Sequence, residues 1–355
     1  MTSIKSTFTL PLLHWYDLHG RKNLPWQHPR DAYRVWLSEI MLQQTQVKTV
    51  IPYFTRFLDH FPSVQDLALA AEDEVLALWS GLGYYSRGRN LHKTAIIINT
   101  LYQGQFPQDR QLLTQLPGIG PSTAAAITSQ AFNQPTAILD GNVKRVLSRY
   151  FLIKGFSAQT TTTLWQLANQ CMSHVRPADY TQAIMDLGAT CCTSKKPNCI
   201  SCPLQATCLA KRDNLIADYP TPKPSKKIPT KHQQFLFMHN HTQSIYLEKR
   251  PPNGIWGGLW CPPSIETEIN PTDYIKKTYG LDIINIHSLT NIKHTFSHFK
   301  LHINALSIEI KTTGNSCFEQ PGHWFSTAET TKLGLAKPIS DMIKLFCQTQ
   351  FKETL

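Results

Sequence analysis

The sequence has no apolar run of about eighteen residues, the minimum for a membrane-spanning helix. Its amino terminus also lacks the apolar core and small-residue cleavage site of a secretory leader. We therefore expect a soluble protein of the cytoplasm. The nine cysteines do not indicate a disulfide framework, because disulfides are rare in a reducing compartment. With 355 residues, 41% of them hydrophobic, the chain is long enough for two or three folded domains.

Acidic residues are scarce relative to basic ones, at 24 against 35, which gives a formal net charge of +11. The excess is uneven, because residues 1–230 carry 23 Lys and Arg against 14 Asp and Glu, whereas residues 231–355 carry 12 against 10. A basic surface can serve acidic proteins or membrane lipids. Without a basic amphipathic helix, it indicates nucleic acid first.

Helical periodicity dominates residues 8–214, as in the i, i+3, i+4, i+7 stripe that ends at Tyr150. Residues 215–231 contain four prolines and four lysines, which is the composition of a linker. Beyond the linker, short strands are predicted at 235–238, 244–247 and 299–306, with helices near Tyr274 and Met342. The second domain is therefore predicted to be α+β.

Four cysteines follow the spacing C-x6-C-x2-C-x5-C: Cys192, Cys199, Cys202 and Cys208. This spacing suits a [4Fe-4S] cluster, which takes one cysteine per iron. Zinc is the alternative, although four-cysteine zinc sites more often use two Cys-x-x-Cys pairs, and this sequence has one. Four unrelated buried thiols are a weaker explanation, because the lysines, proline and asparagine between the first two cysteines indicate a surface loop.

A Pro-Gly-Ile-Gly turn at residues 117–120 joins two predicted helices. Gly118 and Gly120 permit positive φ angles and close approach, and Pro121 suits a first helical turn. The free backbone N–H groups of such a turn can bind a phosphate without reading a base. A plain helix–helix connection is the alternative for so short a motif, but Asp140 follows Gly120 by twenty residues.

The turn, the segment Ile-Leu-Asp-Gly-Asn-Val-Lys-Arg-Val at residues 138–146 and the cysteine spacing together resemble the iron–sulfur branch of the helix-hairpin-helix DNA glycosylases. Residues 24–26, 36–47, 79–87, 182–189 and 250–260 resemble the adenine DNA glycosylases of that branch, so the resemblance covers nearly the whole chain. It implies a mainly α helix-hairpin-helix glycosylase region with a [4Fe-4S] module at residues 1–214, followed by an α+β Nudix-like domain at 232–355. Within the first region, residues 31–135 would form a six-helix module, and residues 1–30 and 136–214 the iron–sulfur module.

Excision of a base requires a proton for the leaving purine and a negative charge beside the developing oxocarbenium ion. Glu39 has apolar neighbours on its predicted helix, so burial should raise its pKa, and the resemblance makes it the acid that protonates adenine N7. Asp140 is an N-cap on sequence grounds, and the resemblance implies that it stabilises the cation with help from Asn142. Tyr84 would line the same pocket, with a core aromatic as the equally weighted alternative.

The resemblance also implies how DNA is held, since the base must leave the stack to be cut. Gln44 would fill the vacated duplex with Leu42 as an apolar wedge, and Trp26, Gln27 and Gln182 would contact the extruded adenine. Backbone contacts are expected from Gly118, Gly120, Ser122 and Lys144. The expected partner is duplex DNA containing adenine opposite 8-oxoguanine or guanine, bound by a monomer associated with the nucleoid.

Two further features narrow the expected activity. Endonuclease III-type enzymes carry a Schiff-base lysine two residues after the second hairpin glycine, where this chain has Ser122, so a monofunctional hydrolase is favoured over a lyase. The second domain lacks the Arg-Glu-x-x-Glu-Glu carboxylates of a Nudix hydrolase, and Phe296, Ser297 and His298 resemble a loop that detects 8-oxoguanine. A non-catalytic DNA-binding iron–sulfur protein and a Nudix enzyme with an accessory domain remain alternatives.

Overall fold

The computed structural model describes residues 4–222, 227–311 and 322–350. The chain forms two compact units, of which the first comprises Met1–Leu69 and Asn90–Pro224 and the second Ala70–Arg89 and Ser225–Leu355. Residues 70–89 thus group with the carboxy-terminal residues, which the sequence did not indicate. In the described ranges, no helix combines the length and apolar composition needed to span a membrane.

The first unit is helical. Its helices are α1 (Leu10–His19), α2 (Ala32–Leu42), α3 (Val47–His60), α4 (Val64–Leu69), α7 (Arg110–Thr114), α8 (Pro121–Phe132), α9 (Gly141–Phe151), α10 (Ala158–Cys171), α11 (Pro177–Asp186) and α12 (Leu209–Arg212). A further helix, α6 (Ser86–Leu101), begins in the second unit and continues in the first. Wider π-helical turns precede α1 at Lys5–Thr9 and follow α11 at Leu187–Cys191.

Capping residues start the helices that carry the predicted site. The Asp31 side chain accepts a hydrogen bond of 2.8 Å from the Arg34 N–H at the start of α2, and Asp140 accepts one of 2.7 Å from Val143 at the start of α9. Helix α8 begins with proline and continues with buried alanines, which let α2 pack closely against it. Local sequence therefore determines where these helices begin, and their buried faces determine where they pack.

The predicted hairpin connects α7 to α8. Gly118 has a φ of 78°, a conformation that favours glycine, and a Cβ atom there would lie 3.0 Å from the Asn90 Cβ atom. Gly120 has a φ of −85°, so the positive φ expected at both glycines occurs only at Gly118. A Cβ atom at Gly120 would meet no protein atom within 4 Å, which leaves the backbone at the start of α8 accessible.

The second unit contains α5 (Glu72–Trp79), α13 (Pro271–Tyr279), α14 (Lys337–Gln350) and a mixed sheet. The described strands are β1 (Thr230–His239), β2 (Ile245–Lys249), β3 (Trp260–Cys261), β4 (Ser264–Ile265), β5 (Asp282–Thr295), β6 (Lys300–Lys311) and β7 (Gly322–Phe325). The order is β3-β2-β1-β6-β5, and β4 pairs with β1 and β7 with β2. Strands β1 and β6 run parallel, with Leu236 opposite Leu306.

The predicted strands near residues 235, 244 and 299 and both predicted helices are present, so the α+β prediction is confirmed. Strand β5 was not predicted, because most of its residues are exposed and the apolar alternation of a half-buried strand is missing. One sheet face packs against α13 through Leu236, Ile275, Tyr279 and Ile308. Residues 223–226 of the predicted linker lie outside the described residues.

Candidate active site

The first unit contains a cleft of about 1010 Å³ lined by residues from several helices and their connections. Ten of the predicted residues meet there or in the turn beside it: Trp26, Glu39, Leu42, Gln44, Ser122, Asp140, Asn142 and Gln182 line the cleft, and Gly118 and Gly120 belong to the hairpin before Ser122. The sequence places these residues far apart along the chain. The packing of α2, α8, α9 and α11 brings their side chains to one cleft.

Glu39 projects into the cleft from α2. The residues one turn before it, Val35 and Trp36, are fully buried, and Glu39 Oε1 accepts a long hydrogen bond of 3.4 Å from Gln130. Burial and then the nearby charge of Asp140 raise the pKa of Glu39 to about 7, although the bond from Gln130 acts in the opposite direction. Glu39 can therefore hold a proton near neutral pH, as its apolar neighbours predict.

Asp140 lines the same cleft at the start of α9. Burial raises the pKa of its carboxyl, while backbone N–H groups of Val143 and Asn142 and the charges of Arg145 and Lys144 lower it. The negative charge of Asp140 disfavours ionisation of Glu39 and so helps to keep the proton on Glu39. The N–H donors and cations favour the negative charge on Asp140, and the apolar surroundings of Glu39 favour the proton there.

Arg145 is a site residue that the sequence interpretation missed. Its guanidinium donates to Asn142 Oδ1 at 2.8 Å, to the Gly188 carbonyl at 2.7 Å and to the Cys192 carbonyl at 2.9 Å. Gly188 also approaches Asn142 closely, because a Cβ atom at position 188 would lie 2.7 Å from the Asn142 Cβ atom. Asn142 is thus held from two sides. The one sequence signal for a role of Arg145 is its position three residues after Asn142, on the same face of α9.

Gln182 lies in α11 and is 2% exposed. Its Nε2 donates to Asp186 Oδ1 at 2.8 Å, while its Oε1 is buried without a hydrogen-bond partner among the described residues. Asp186 also accepts hydrogen bonds of 2.7 and 2.9 Å from the Arg21 side chain and one of 2.7 Å from the Arg21 backbone N–H. Arg21, which also lines the cleft, was not predicted. The orphaned Oε1 is an acceptor available to a ligand.

Gln27 does not line this cleft, and its expected contact with the base is not supported. It is 2% exposed, its Oε1 accepts from the Leu24 N–H at 3.0 Å and its Nε2 donates to the Arg21 carbonyl at 2.9 Å. Both ends of the amide are used to hold the backbone. Its neighbour Trp26 does line the cleft, and packs edge-on against Phe54 with ring centroids 5.3 Å apart.

The connection after α2 carries Leu42 and Gln44. Gln44 is exposed and has a φ of 58°, a left-handed conformation unusual for a side-chain-bearing residue. Such strain is found where surrounding structure or function requires it.

Ser122 Oγ accepts a hydrogen bond of 3.1 Å from the Leu139 N–H, which ties the hairpin to the residue before Asp140. Lys144 is half-buried on α9 and does not line the cleft.

Tyr84 belongs to the second unit, and its expected catalytic role stays a prediction. It is 45% exposed, has a φ of 48°, and lines a separate cavity of about 410 Å³ with Arg89 and Trp256. The predicted residues Phe296, Ser297 and His298 line this second cavity too. Arg87 lies beneath the tyrosine, with its guanidinium carbon 5.4 Å from the ring centroid.

The four predicted metal ligands, Cys192, Cys199, Cys202 and Cys208, all line one small cavity. Cys191 lines it as well, but its thiol donates to the Asn198 carbonyl at 3.2 Å. Arg149 is buried beside them and donates from Nη1 to Cys192 Sγ at 3.4 Å. Within the described part of the chain, no three His, Cys, Asp or Glu side chains are arranged to hold a metal ion.

Known proteins resemble the chain in both parts. Residues 37–170 match the HhH-GPD superfamily of base excision DNA repair proteins, and residues 234–345 match the NUDIX domain. The adenine DNA glycosylase of Buchnera aphidicola subsp. Schizaphis graminum is 39% identical over 345 residues, which cover 96% of this chain and 98% of the relative. The Mus musculus adenine DNA glycosylase is 33% identical over 406 aligned residues, covering 96% and 78% respectively.

Solved structures agree on the helical region. A thermostable thymine-DNA glycosylase superposes with a TM-score of 0.54 at 26% identity, covering 59% of this chain and 97% of its own. Endonuclease III in a non-covalent DNA complex superposes with a TM-score of 0.50 at 20% identity, covering 61% and 99%, which indicates the shared fold. With two carboxylates in one cleft and this identity along nearly its whole length, the chain belongs to the adenine DNA glycosylase family and is an enzyme of base excision repair that acts on DNA.

Proposed function

We propose that the enzyme hydrolyses the N-glycosidic bond of adenine opposite 8-oxoguanine or guanine in duplex DNA, without cutting the strand itself. The observation that carries the proposal is the pairing of Glu39 with Asp140 in one cleft, where burial and the charge of Asp140 raise the pKa of Glu39 to about 7. One carboxyl of the pair can hold a proton while the other is ionised. Hydrolysis of a glycosidic bond requires that combination.

Glu39 acts as the general acid. It donates its proton to N7 of the adenine as the bond between N9 and C1′ breaks, and the bonding electrons leave with the base. Asp140 faces the positive charge that develops on the sugar, and its own charge is stabilised by the N–H groups of Val143 and Asn142. Water then adds to C1′ and loses a proton to the carboxyl pair. Asn142, held by Arg145, lines the cleft beside Asp140 and assists it.

Gln182 reads the extruded base. Its amide nitrogen is engaged by Asp186, so the free Oε1 must be the atom available in the cleft, and it can accept a hydrogen bond from the adenine N6 amine. A base with a carbonyl oxygen in place of the N6 amine would face Gln182 Oε1 with a second acceptor, and no hydrogen bond could form. Trp26 supplies an aromatic surface in the same cleft. This proposal replaces the expected role of Gln27.

Leu42 and Gln44 fill the duplex from which adenine is extruded, since both lie at the cleft and Gln44 is exposed in a strained conformation. Gly118 and Gly120 bring the backbone N–H groups at the start of α8 to a phosphate. Ser122 and Lys144 add polar contacts. Because Ser122 carries no amine, no Schiff base can form at this position, which supports a monofunctional reaction.

The second cavity serves recognition of the base opposite adenine. Phe296, Ser297 and His298 line it with Tyr84, so an exposed aromatic ring and two polar side chains face one space of about 410 Å³. The hairpin connects β5 to β6, and its Phe296 ring stacks on Phe299 with centroids 4.5 Å apart. This contact supports the hairpin that would read 8-oxoguanine against guanine.

The cysteine cavity fits a [4Fe-4S] cluster bound by Cys192, Cys199, Cys202 and Cys208. One cavity collects all four thiols, and the sequence has a single Cys-x-x-Cys pair where four-cysteine zinc sites more often have two, which favours the cluster over zinc. When bound, the cluster would crosslink residues 192–208 into one rigid loop. Arg149 supports this loop by donating to the Thr193 carbonyl at 2.7 Å and the Ser194 carbonyl at 3.1 Å.

A single-turnover assay on a duplex with adenine opposite 8-oxoguanine tests the proposal. Cleavage at the adenine should appear only after alkali treatment and should be lost in Glu39→Gln. Strand cleavage without alkali, or activity confined to a duplex with an oxidised pyrimidine, would instead establish an endonuclease III-like lyase. Binding without excision of any base would establish the non-catalytic DNA-binding alternative.

A further inference from the structure

Asp73 joins α5 to the sheet of the second unit. Its Oδ2 accepts a hydrogen bond of 3.2 Å from Lys249 Nζ and another of 3.1 Å from Trp260 Nε1. Lys249 ends β2 and Trp260 begins β3, and the ammonium lies 5.7 Å from the centroid of the tryptophan ring. One carboxylate oxygen therefore holds α5 to two neighbouring strands.

The other oxygen of Asp73, Oδ1, is buried and has no hydrogen-bond partner among the described residues. An unsatisfied buried acceptor is unfavourable for folding, so a residue with this arrangement needs an explanation other than stability alone. Adjacent packing makes the arrangement tight. A Cβ atom on Gly334 would lie 2.8 Å from the Leu76 Cβ atom and 3.4 Å from Asp73 Oδ1.

Three further hydrogen bonds continue this contact along residues 80–89. Ser80 donates to the Leu335 carbonyl at 2.9 Å, the Tyr85 hydroxyl accepts from the Lys337 N–H at 3.0 Å, and Arg89 donates to the Pro252 carbonyl at 3.2 Å. Residues 70–89 are thus attached to the sheet and its loops at intervals along their length. This attachment explains why they form one compact unit with the carboxy-terminal residues.

The attached segment presents Tyr84 in a fixed conformation. The Gly83 carbonyl accepts bonds of 3.1 Å from Trp79 Nε1 and 3.2 Å from Arg87 Nη2, and the Tyr84 carbonyl accepts one of 2.9 Å from the Arg87 N–H. These bonds determine the left-handed turn, and Trp79 is the last residue of α5. A shift of α5 would therefore move the turn that carries Tyr84.

We propose that Asp73 is a positioning residue for discrimination of the base opposite adenine. By binding Lys249 and Trp260, it keeps α5 docked so that Tyr84 and the 296–298 hairpin line one cavity. This inference rests on the proposed role of that cavity in reading 8-oxoguanine. Asp73 does not line either the cavity or the catalytic cleft, so it acts through Tyr84.

The test compares single-turnover rates, at saturating enzyme, for adenine opposite 8-oxoguanine and opposite guanine. Both bonds of Asp73 are only partly buried, so their removal in Asp73→Ala should lower the ratio of the two rates by about fivefold. The rate opposite guanine should stay within about twofold, because Glu39 and Asp140 are unaffected. Asp73→Asn keeps an acceptor for Trp260 and should lower the ratio of the two rates less than Asp73→Ala does.

Matched variants distinguish this role from a general effect on folding. Glu74→Gln removes the same charge from the next residue of α5 and should leave the ratio unchanged. Trp260→Phe removes the indole donor together with part of the ring and should lower the ratio, and its effect should not add to that of Asp73→Ala. Trp324→Phe, in β7 of the same sheet, is its control. Hydrogen exchange at residues 80–85 should speed up in Asp73→Ala and not in Glu74→Gln.

The outcomes separate this inference from the proposed function. If the wild-type enzyme excises adenine without preferring 8-oxoguanine, the proposed reading of the opposite base fails, and the role of Asp73 fails with it. If the wild-type enzyme has the preference and Asp73→Ala keeps it, only the role of Asp73 is overturned. Equal losses of both rates together with a lowered Tm would show a purely structural residue and overturn it as well.

Discussion

The Gln182 amide donates a hydrogen bond of 2.8 Å from Nε2 to Asp186 Oδ1. An ionised carboxylate accepts hydrogen bonds and donates none, so this contact determines which end of the amide is the nitrogen. The oxygen is then the buried atom without a partner at the cleft, among the residues that the structure describes. Arg21 donates to Asp186, and Asp186 accepts from Gln182. The Arg21 and Asp186 side chains together therefore determine the orientation of Gln182 Oε1.

Replacing Gln182 with leucine removes the acceptor for the adenine N6 amine. We expect kcat/KM for adenine to fall by about 10- to 100-fold, the usual cost of one specific hydrogen bond to a base. A duplex carrying unsubstituted purine, which lacks the amine, is the control substrate, and its excision should fall much less. Equal losses on both substrates would mean that Gln182 only supports the cleft.

The pH dependence of excision should follow the protonation of the carboxyl pair. Glu39 must be protonated to act, and its pKa is raised to about 7, so single-turnover rates should fall as pH rises through about 7. Asp140→Asn removes the neighbouring charge, and the midpoint of its residual activity should move to lower pH. A profile that is flat from about pH 6 to about 9 in the wild-type enzyme would contradict the role of Glu39 as the acid.

The same raised pKa predicts a stability effect. The folded state holds the Glu39 proton more tightly than the unfolded state, so stability is highest below the unfolded pKa and falls as pH rises toward about 7. Glu39→Gln removes the free-energy cost of ionising this buried carboxyl at high pH. It should increase the free energy of unfolding by about 1–3 kcal/mol at about pH 8 and change it little at about pH 4, as measured by denaturant titration. An inactive variant that is more stable at the higher pH is the expected result.

Gly188→Ala tests the positioning of Asn142. The added Cβ atom would lie 2.7 Å from the Asn142 Cβ atom, so Asn142 or the turn at 187–191 must shift. We expect excision to slow by at least about tenfold, because small displacements at a reacting centre are costly. Ala189→Gly, the control, disturbs the same turn without adding an atom. Near wild-type rates in Gly188→Ala would exclude a close steric requirement here.

Arg149→Lys tests the support of the cysteine loop. The guanidinium donates to three carbonyls, of Thr193, Ser194 and Tyr219, and to Cys192 Sγ, a set that one ammonium cannot span. We expect lower iron content per chain and a loss of about 2–4 kcal/mol in the free energy of unfolding. Arg212→Lys, which changes an exposed arginine paired with Asp213, should alter neither quantity.

Much of the site could be predicted from sequence because local patterns encode it. Glu39 follows apolar residues on a helix, Asp140 occupies a capping position, and the cysteines have a spacing that suits a cluster. The two glutamines show the limit of such patterns. Gln27 and Gln182 were equally plausible as readers of adenine, and only their hydrogen-bond partners separate them, because one amide is satisfied by backbone and the other keeps a free oxygen.

Sequence alone determined the family, the cap of α9 at Asp140, the start of α8 at Pro121 and the α+β character of the second domain, because capping and apolar periodicity depend on neighbouring residues. Tertiary structure decided the rest. Arg21, Arg145 and Arg149 gained their roles from carbonyls and carboxylates distant in the chain. Residues 70–89, which include Tyr84, belong to the carboxy-terminal unit because Asp73, Ser80 and Tyr85 form hydrogen bonds with residues of that unit. Such long-range contacts leave no periodic signal along the sequence.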